Sequence, residues 1–287
     1  KKGIQLSSIF IYTALSLLFI ITFYPFWNIF VLSLNDATDS LRGGLMLWPR
    51  VFSIDSYKAV LSDTALLSSL KVTLLRTAVG VPMNLLAVTT LAYALSQRDL
   101  IGRRQINLLF VFTMYFSGGM IPGFINIKNL GLYNSLLALI LPGAISTYTL
   151  IIMRTSFQSI PASLEEAAHL DGASHFSILW HIILPLSKAI IAVMILYYGV
   201  GIWNSWFPAS IYLNDRSKYP LQLVLREILL QNDVSNMAQN AGVAESYSVS
   251  ESIKYAVVVV ATLPILCIYP FLQKYFVSGI MVGAVKG

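Results

Sequence analysis

The sequence predicts an all-α, polytopic integral membrane protein, and three observations carry that prediction. Of the 287 residues, 56% are apolar and only 11% are charged. Six stretches approach or exceed the roughly 20 apolar residues needed to cross about 30 Å of hydrocarbon. A spanning segment must satisfy its own backbone hydrogen bonds, so each stretch is expected to be a helix.

The six stretches run from Ile9 to Leu34, Ser69 to Ser96, Ile106 to Ile127, Asn134 to Phe157, Ser187 to Leu213, and Tyr255 to Phe276. Pro25, Pro82, Pro142 and Pro264 fall inside them and predict kinks or protein-covered faces. The first stretch, preceded by Lys1 and Lys2, exceeds the length of a signal-peptide core and lacks a small-residue cleavage site. It reads as a retained span. The chain is expected to be one transmembrane domain over 1–287 with its core at about 69–276.

The basic residues set the expected orientation. Arg98, Arg103 and Arg104 crowd the short link between the second and third spans, which places that link, both termini and the segment 161–185 in the cytoplasm. Asn35 to Ser68 and the loop 214–252 then lie outside. WPRVFSIDSYKAVL in the former suits a short interfacial helix, and PLQLVLREILLQN in the latter opens a helix at a proline. The net charge of +6 is spent on topology. No basic stripe interleaved with stacking aromatics points to nucleic acid.

Several chemistries are disfavoured. All 13 Asp and Glu residues lie outside the six spans, against a proton-coupled carrier. The single cysteine, Cys267, can form neither an intrachain disulfide nor a cysteine cluster. His169, His175 and His181 do not share a helical face, and no metal site is expected. No phosphate-binding loop, catalytic triad or carboxylate pair stands out, so an enzyme is not expected. Arg76 is the clearest charge within a span, read either as snorkelling or pairing, or as a contact at a translocation path.

Substrate-path candidates come from the polar and aromatic residues within spans. Trp203 and Asn204 lead in YYGVGIWNSWFPASIY, which also holds Tyr197; Tyr115 and Asn126 are candidates in the third span. Flat rings can stack on the apolar faces of sugar rings while amides bond the hydroxyls. Interfacial anchoring explains Trp206, Phe207 and Tyr212 without any ligand.

The odd segment is PASLEEAAHLDGASHFSILWHIILP, residues 161–185, a polar island between apolar runs. Ser163 can cap a helix, with Glu166 three residues on as in a capping box, and Glu165 also suits the positive helix end. Asp171 and Gly172 supply a turn. A second short helix over Phe176 to Ile183 leads to Pro185, which suits the start of the fifth span.

The spacing Glu166, Ala167, Ala168, three residues, Gly172, nine residues, Ile182, one residue, Leu184, Pro185 resembles the EAA loop of binding-protein-dependent ABC importer permeases. The resemblance continues through SGGMIPGFINIKNLGLYNSLLALILPGAIS, IIMRTSFQSIPASLEEAAHLDGAS, YPLQLVLREILLQN and VSGIMVGAVKG, and is strongest to the carbohydrate-uptake branch that imports polysaccharide-derived oligosaccharides. It implies a type I importer permease with six membrane helices in a bacterial cytoplasmic membrane. It also implies an ATPase-coupling site at Glu165, Glu166, Ala167, Ala168, Asp171, Gly172, Ile182, Leu184 and Pro185. Gly283, Ala284, Val285, Lys286 and Gly287 resemble a tail that enters the ATPase interface. The implied partners are a second permease, two ATP-binding subunits holding ATP and Mg, a solute-binding protein and an oligosaccharide, with no cofactor on this chain. A stand-alone sodium-coupled carrier or channel is the alternative.

Overall fold

A computed structural model describes residues 6–40, 42–238, 253–271 and 273. The described residues are almost wholly helical. They fall into two compact units, residues 1–68 with 224–264 and residues 69–223 with 265–287.

The first unit opens with α1, Leu6–Ser33. It is apolar all round and exposed along most of its length, as a helix facing lipid should be. Phe19, Phe23, Trp27 and Phe30 form a ring ladder along it, with centroids 5.2, 6.1 and 5.7 Å apart. After a compact loop comes α2, Asp55–Ser62, shorter than WPRVFSIDSYKAVL suggests because Trp48 to Ser53 stay irregular. Ser33 Oγ lies 2.7 Å from the Tyr57 hydroxyl and ties α2 back to α1.

The longest helix is α3, Thr64–Ser96. At 33 residues it reaches about 50 Å, well beyond the hydrocarbon thickness. From Ser69 onward its buried face recurs every three or four residues: Ser69, Thr73, Arg76, Gly80, Asn84, Val88, Ala92 and Leu95. Up to Asn84 that stripe is polar apart from Gly80, and from Val88 onward it is apolar. In the second unit, therefore, α3 offers polar contacts near one end and a hydrophobic seat at the other.

Three expected spans are interrupted. The third resolves into α4, Arg103–Tyr115, and α5, Met120–Asn129, separated at Ser117 to Gly119. Gly119, at φ 88 and ψ 176, adopts a backbone region open in practice only to glycine. The fourth becomes two 3₁₀ turns, Leu136–Leu139 and Leu141–Gly143, followed by α6, Thr147–Gln158, bent by 51°. Pro142 and Gly143 make that break. After α7, Ala162–Leu170, and α8, His175–Leu186, the fifth span is α9, Lys188–Asn204. It stops at an extended Ser205, and α10, Phe207–Tyr212, begins beyond it with Pro208 in its first turn. The remaining helices are α11, Leu221–Ala238, directly after Pro220, and α12, Ile253–Phe271. By length and apolarity, three described helices can cross a membrane unaided, and up to five spans result if each bent pair counts as one. The count of six is thus not reproduced among the described residues.

The second unit's core joins α3 (Val88, Ala92, Tyr93, Leu95) to α6 (Leu150, Met153, Phe157), α8 (Ile178, Leu179, Ile183) and α9 (Met194, Tyr198). Tyr198 brings its hydroxyl in satisfied, 2.8 Å from Thr149 Oγ1 and donating to the Ala144 carbonyl at 3.2 Å. Gly80 faces α9 closely: a Cβ there would stand 2.9 Å from Cδ1 at the tip of Ile202 and 3.4 Å from Ile140 Cγ1, so the further methyl groups of a valine would crowd both side chains. Gly201 has open space around it. Gly80→Val is therefore expected to destabilise the protein by about 1–3 kcal/mol through overpacking. Gly201→Ala should be neutral or slightly stabilising. Thermal unfolding of both variants in detergent checks the pair, and equal shifts would contradict the packing.

Candidate functional site

Residues 161–185 form a helical hairpin. Its first arm, α7, starts at Ala162 with Pro161 as N-cap and no side-chain cap, so Ser163 stands inside the helix and the capping box with Glu166 is not formed. Pro161 at ψ 127 already sets the chain's entry, which moves the helix start ahead of Ser163. Glu165 lies in the first turn, where the positive end of the helix favours a carboxylate. It accepts a 2.9 Å hydrogen bond from Gln97 Nε2, tying α7 to the link after α3. Glu166, one residue on, is exposed.

The turn between the arms is a Schellman motif. Gly172, at φ +80, donates its N–H to the His169 carbonyl at 3.0 Å, and Ala173 donates to Ala168 at 2.9 Å. Ala168 and Ala173, whose contact accompanies this motif, both pack on the core. His169 and His175 meet edge to face across the turn with centroids 4.7 Å apart, and the Tyr93 ring lies 6.4 Å from His175.

Ser174 caps α8 by accepting the Ser177 N–H at 3.3 Å. A π turn over Leu179–Ile183 follows, then Leu184–Leu186. This wider turn suits the arm's burial, since Ile178, Leu179 and Ile183 are the side chains that enter the core. Ile182 and Leu184 pack at the margin of that core. Pro185 does not start the fifth span: it opens the short segment Leu184–Leu186 directly after the π turn, one step before the chain breaks. The chain breaks at Ser187, and α9 departs at 87°.

The hairpin thus has an inner and an outer side. Its outer side carries Glu166, Ala167, Asp171 and Gly172, all exposed, together with Leu170 at 89% and Phe176 at 67% exposure. These two large apolar side chains were not singled out as site residues from the sequence. Between the hairpin's first arm and the link after α3 lies a cleft of about 520 Å³ whose walls include Gln97, Arg98, Arg103, Glu165, Glu166 and His175. The basic link read from sequence as a topological signal is therefore also a wall of this site.

A second cluster occupies the far end of α9. At 17 residues that helix spans about 25 Å from the hairpin. Arg76, 1% exposed, neither snorkels nor faces an open path: its Nη2 donates to the carbonyls of Ile202 and of Ser205, the latter at 3.0 Å. A cation on the last carbonyls satisfies acceptors that the helix itself cannot. One turn earlier on α3, Thr73 Oγ1 accepts the Leu221 N–H at 2.8 Å and so holds the start of α11. The two helix ends bring Asn204 Oδ1 and Gln222 Nε2 to 3.5 Å. Trp203 is turned into protein, 4% exposed, whereas Asn204 is exposed. Tyr197 is exposed further back along α9, with its ring 5.9 Å from Tyr148. Tyr115 ends α4 and Asn126 lies in α5, both exposed. The residues Gly283 to Gly287 lie outside the described residues.

Comparison with known proteins places this geometry. Residues 4–282 match the family described as binding-protein-dependent transport system inner membrane component. The chain belongs to that family. It is 41% identical over 288 residues to the polygalacturonan/rhamnogalacturonan transport system permease protein YtcP of Bacillus subtilis (strain 168), covering 99% of both chains. It is 43% identical to Protein LplC of the same organism over 93% of this chain and 90% of the relative. A crystal structure of a bacterial ABC transporter involved in the import of the acidic polysaccharide alginate superposes with a TM-score of 0.86 at 31% identity, over 96% of this chain and all of that one. The type I importer permease fold and the role of a non-catalytic membrane subunit in an ABC transporter follow from the family.

The Gly172 conformation gives a direct check. A Cβ there meets nothing within 4 Å, so any cost of substitution is conformational. Gly172→Ala should cost about 1–2 kcal/mol. Gly172→Asn should cost less, since Asn tolerates the left-handed region. Hydrogen exchange at the Gly172 and Ala173 amides reads this locally, and unchanged exchange in Gly172→Ala would contradict it.

Proposed function

We propose that this chain forms half of the translocation pathway for an oligosaccharide delivered by a solute-binding protein, and that ATPase subunits drive it through the hairpin 161–185. The observation that carries the reading is the two-sided hairpin, whose inner arm is part of the permease core and whose outer side presents Glu166, Asp171, Leu170 and Phe176 to solvent. A docking surface between chains needs apolar anchors with charged groups beside them. ATP and Mg would reside on two ATP-binding subunits, and a second, related permease would complete the pathway. In this arrangement the hairpin and both termini face the cytoplasm.

For the cargo, carbohydrate follows from the relatives: besides YtcP, the chain is 26% identical to the arabinooligosaccharides permease AraQ of Halalkalibacterium halodurans. Alginate and polygalacturonan are both carboxylated polymers, which favours an acidic oligosaccharide. The amide pair Asn204 and Gln222 is suited to hydroxyl recognition, because each amide keeps donors and acceptors beyond the one they share. Asn204 was expected from sequence; Gln222 emerges only when α11 is seen to start beside α9. Trp203 acts as packing in this reading, behind Asn204.

Two experiments test the proposal in the complex reconstituted with its companion subunits. Glu166→Lys should preserve assembly while abolishing most substrate-stimulated ATP hydrolysis; stimulation at the wild-type level would remove Glu166 from the coupling site. Asn204→Leu should raise the KM for oligogalacturonide uptake roughly tenfold for the loss of one or two hydrogen bonds, with basal ATPase retained. Uptake by this chain alone, without the companions, would instead support a stand-alone carrier.

A further inference from the structure

The loop after α1 is built inside out for a solvated segment. Its buried side chains are two polar ones and Met46: Asn35 is 1% exposed, and its Nδ2 donates to Asp39 Oδ2 at 3.1 Å and Ser40 Oγ at 2.9 Å while its Oδ1 accepts the Val51 N–H at 3.0 Å. Main-chain bonds from Asp36 to Val51 at 2.8 Å and from Ser53 to Leu34 at 2.9 Å close the base of the loop. Arg50 donates to the Gly43 carbonyl at 3.0 Å, and Arg42 reaches Asp39 at 3.4 Å. Against this fixed polar frame, Leu45, Leu47, Trp48 and Phe52 point outward at 84%, 71%, 74% and 68% exposure. Four large apolar side chains exposed on one short loop call for an apolar counterpart.

Depth identifies that counterpart. Trp27 Nε1 donates to the Leu47 carbonyl at 2.9 Å. Trp27 lies six residues before the end of α1 at Ser33, so the loop folds back about 9 Å along a helix that is itself apolar enough to span. At that level the surroundings of a membrane helix are the boundary between headgroups and acyl chains, where tryptophan is favoured. Arg42 and Arg50 both turn to Asp39, at 3.4 and 3.9 Å, and so neutralise the loop's own buried carboxylate. We propose that residues 42–52 are a membrane-interface anchor whose outward apolar side chains insert into the lipid around α1. A water-borne partner would have to reach side chains held below the end of the helix, and α1 beside them is exposed along most of its length, so the bilayer is the occupant proposed, with cover by the second permease an outcome that the test separates.

The test uses the full chain assembled with its companion subunits in lipid nanodiscs, with Cys267→Ser to remove the native thiol and Trp48→Cys carrying an environment-sensitive fluorophore. Spin-labelled lipid with the label near the headgroup should quench more strongly than lipid labelled deep in the acyl chain, and more strongly than aqueous iodide. Iodide as the dominant quencher would overturn the anchor by showing a solvated loop. Protection from both lipid and iodide would overturn it by showing that protein covers the surface. Leu45→Cys, labelled in the same way, gives an independent reading should Trp48→Cys fail to assemble.

Discussion

Burial of Ile178, Leu179 and Ile183 against α3, α6 and α9 is the interaction on which the site depends. Burying one such side chain is worth about 1.5–3 kcal/mol. Peeling the inner arm away from the helices would therefore forfeit several kcal/mol, a large fraction of a domain's net stability. A hairpin so attached cannot move as a loose handle. Force applied to its outer side must displace the packed helices with it, and the Schellman turn at Gly172 keeps the outer arm in register with the inner one.

The opposite end of α9 is fixed by different chemistry. There the buried guanidinium of Arg76 holds the last carbonyls, and Thr73 holds the first amide of α11. One helix, α3, thus grips α9 hydrophobically near the hairpin and electrostatically at the far end. Through Nη2 the Arg76 charge completes a helix terminus that would otherwise leave acceptors unsatisfied in a low-dielectric interior, while its Nε and Nη1 have no partner among the described residues. Asn204 at one end of α9 and the hairpin packed at its other end are therefore both tied to α3.

Much of this was legible in the sequence. The hydrophobic stretches forecast a helical membrane protein, and the spacing from Glu166 to Pro185 forecast the hairpin and the family. The failures share a cause, which is that hydropathy reads composition and not backbone geometry. The stretch 106–127 is apolar on both sides of Ser117 to Gly119, where the helix breaks, and the stretch 187–213 is apolar on both sides of Asn204 and Ser205. Ser163 failed as a cap because Pro161 set the helix entry first, and Pro185 failed as a span start because the π turn carries α8 beyond it. Leu170 and Phe176 could not be distinguished from ordinary helix-face residues until the turn showed them to be exposed. Gln222 depended on a contact across 18 residues of chain that no local pattern encodes.

The central claim is that the hairpin and α9 move as one body. Spin labels at Ser163→Cys and Tyr197→Cys, in a Cys267→Ser background, would report the distance between the hairpin and the middle of α9 in the assembled transporter by pulsed electron resonance. The account predicts a single distance distribution that stays unchanged between nucleotide-free and ATP-bound states while the transporter as a whole changes conformation. A distribution that shifts or splits on ATP binding would contradict it, because the hairpin would then swing independently of the core in which Ile178, Leu179 and Ile183 are buried.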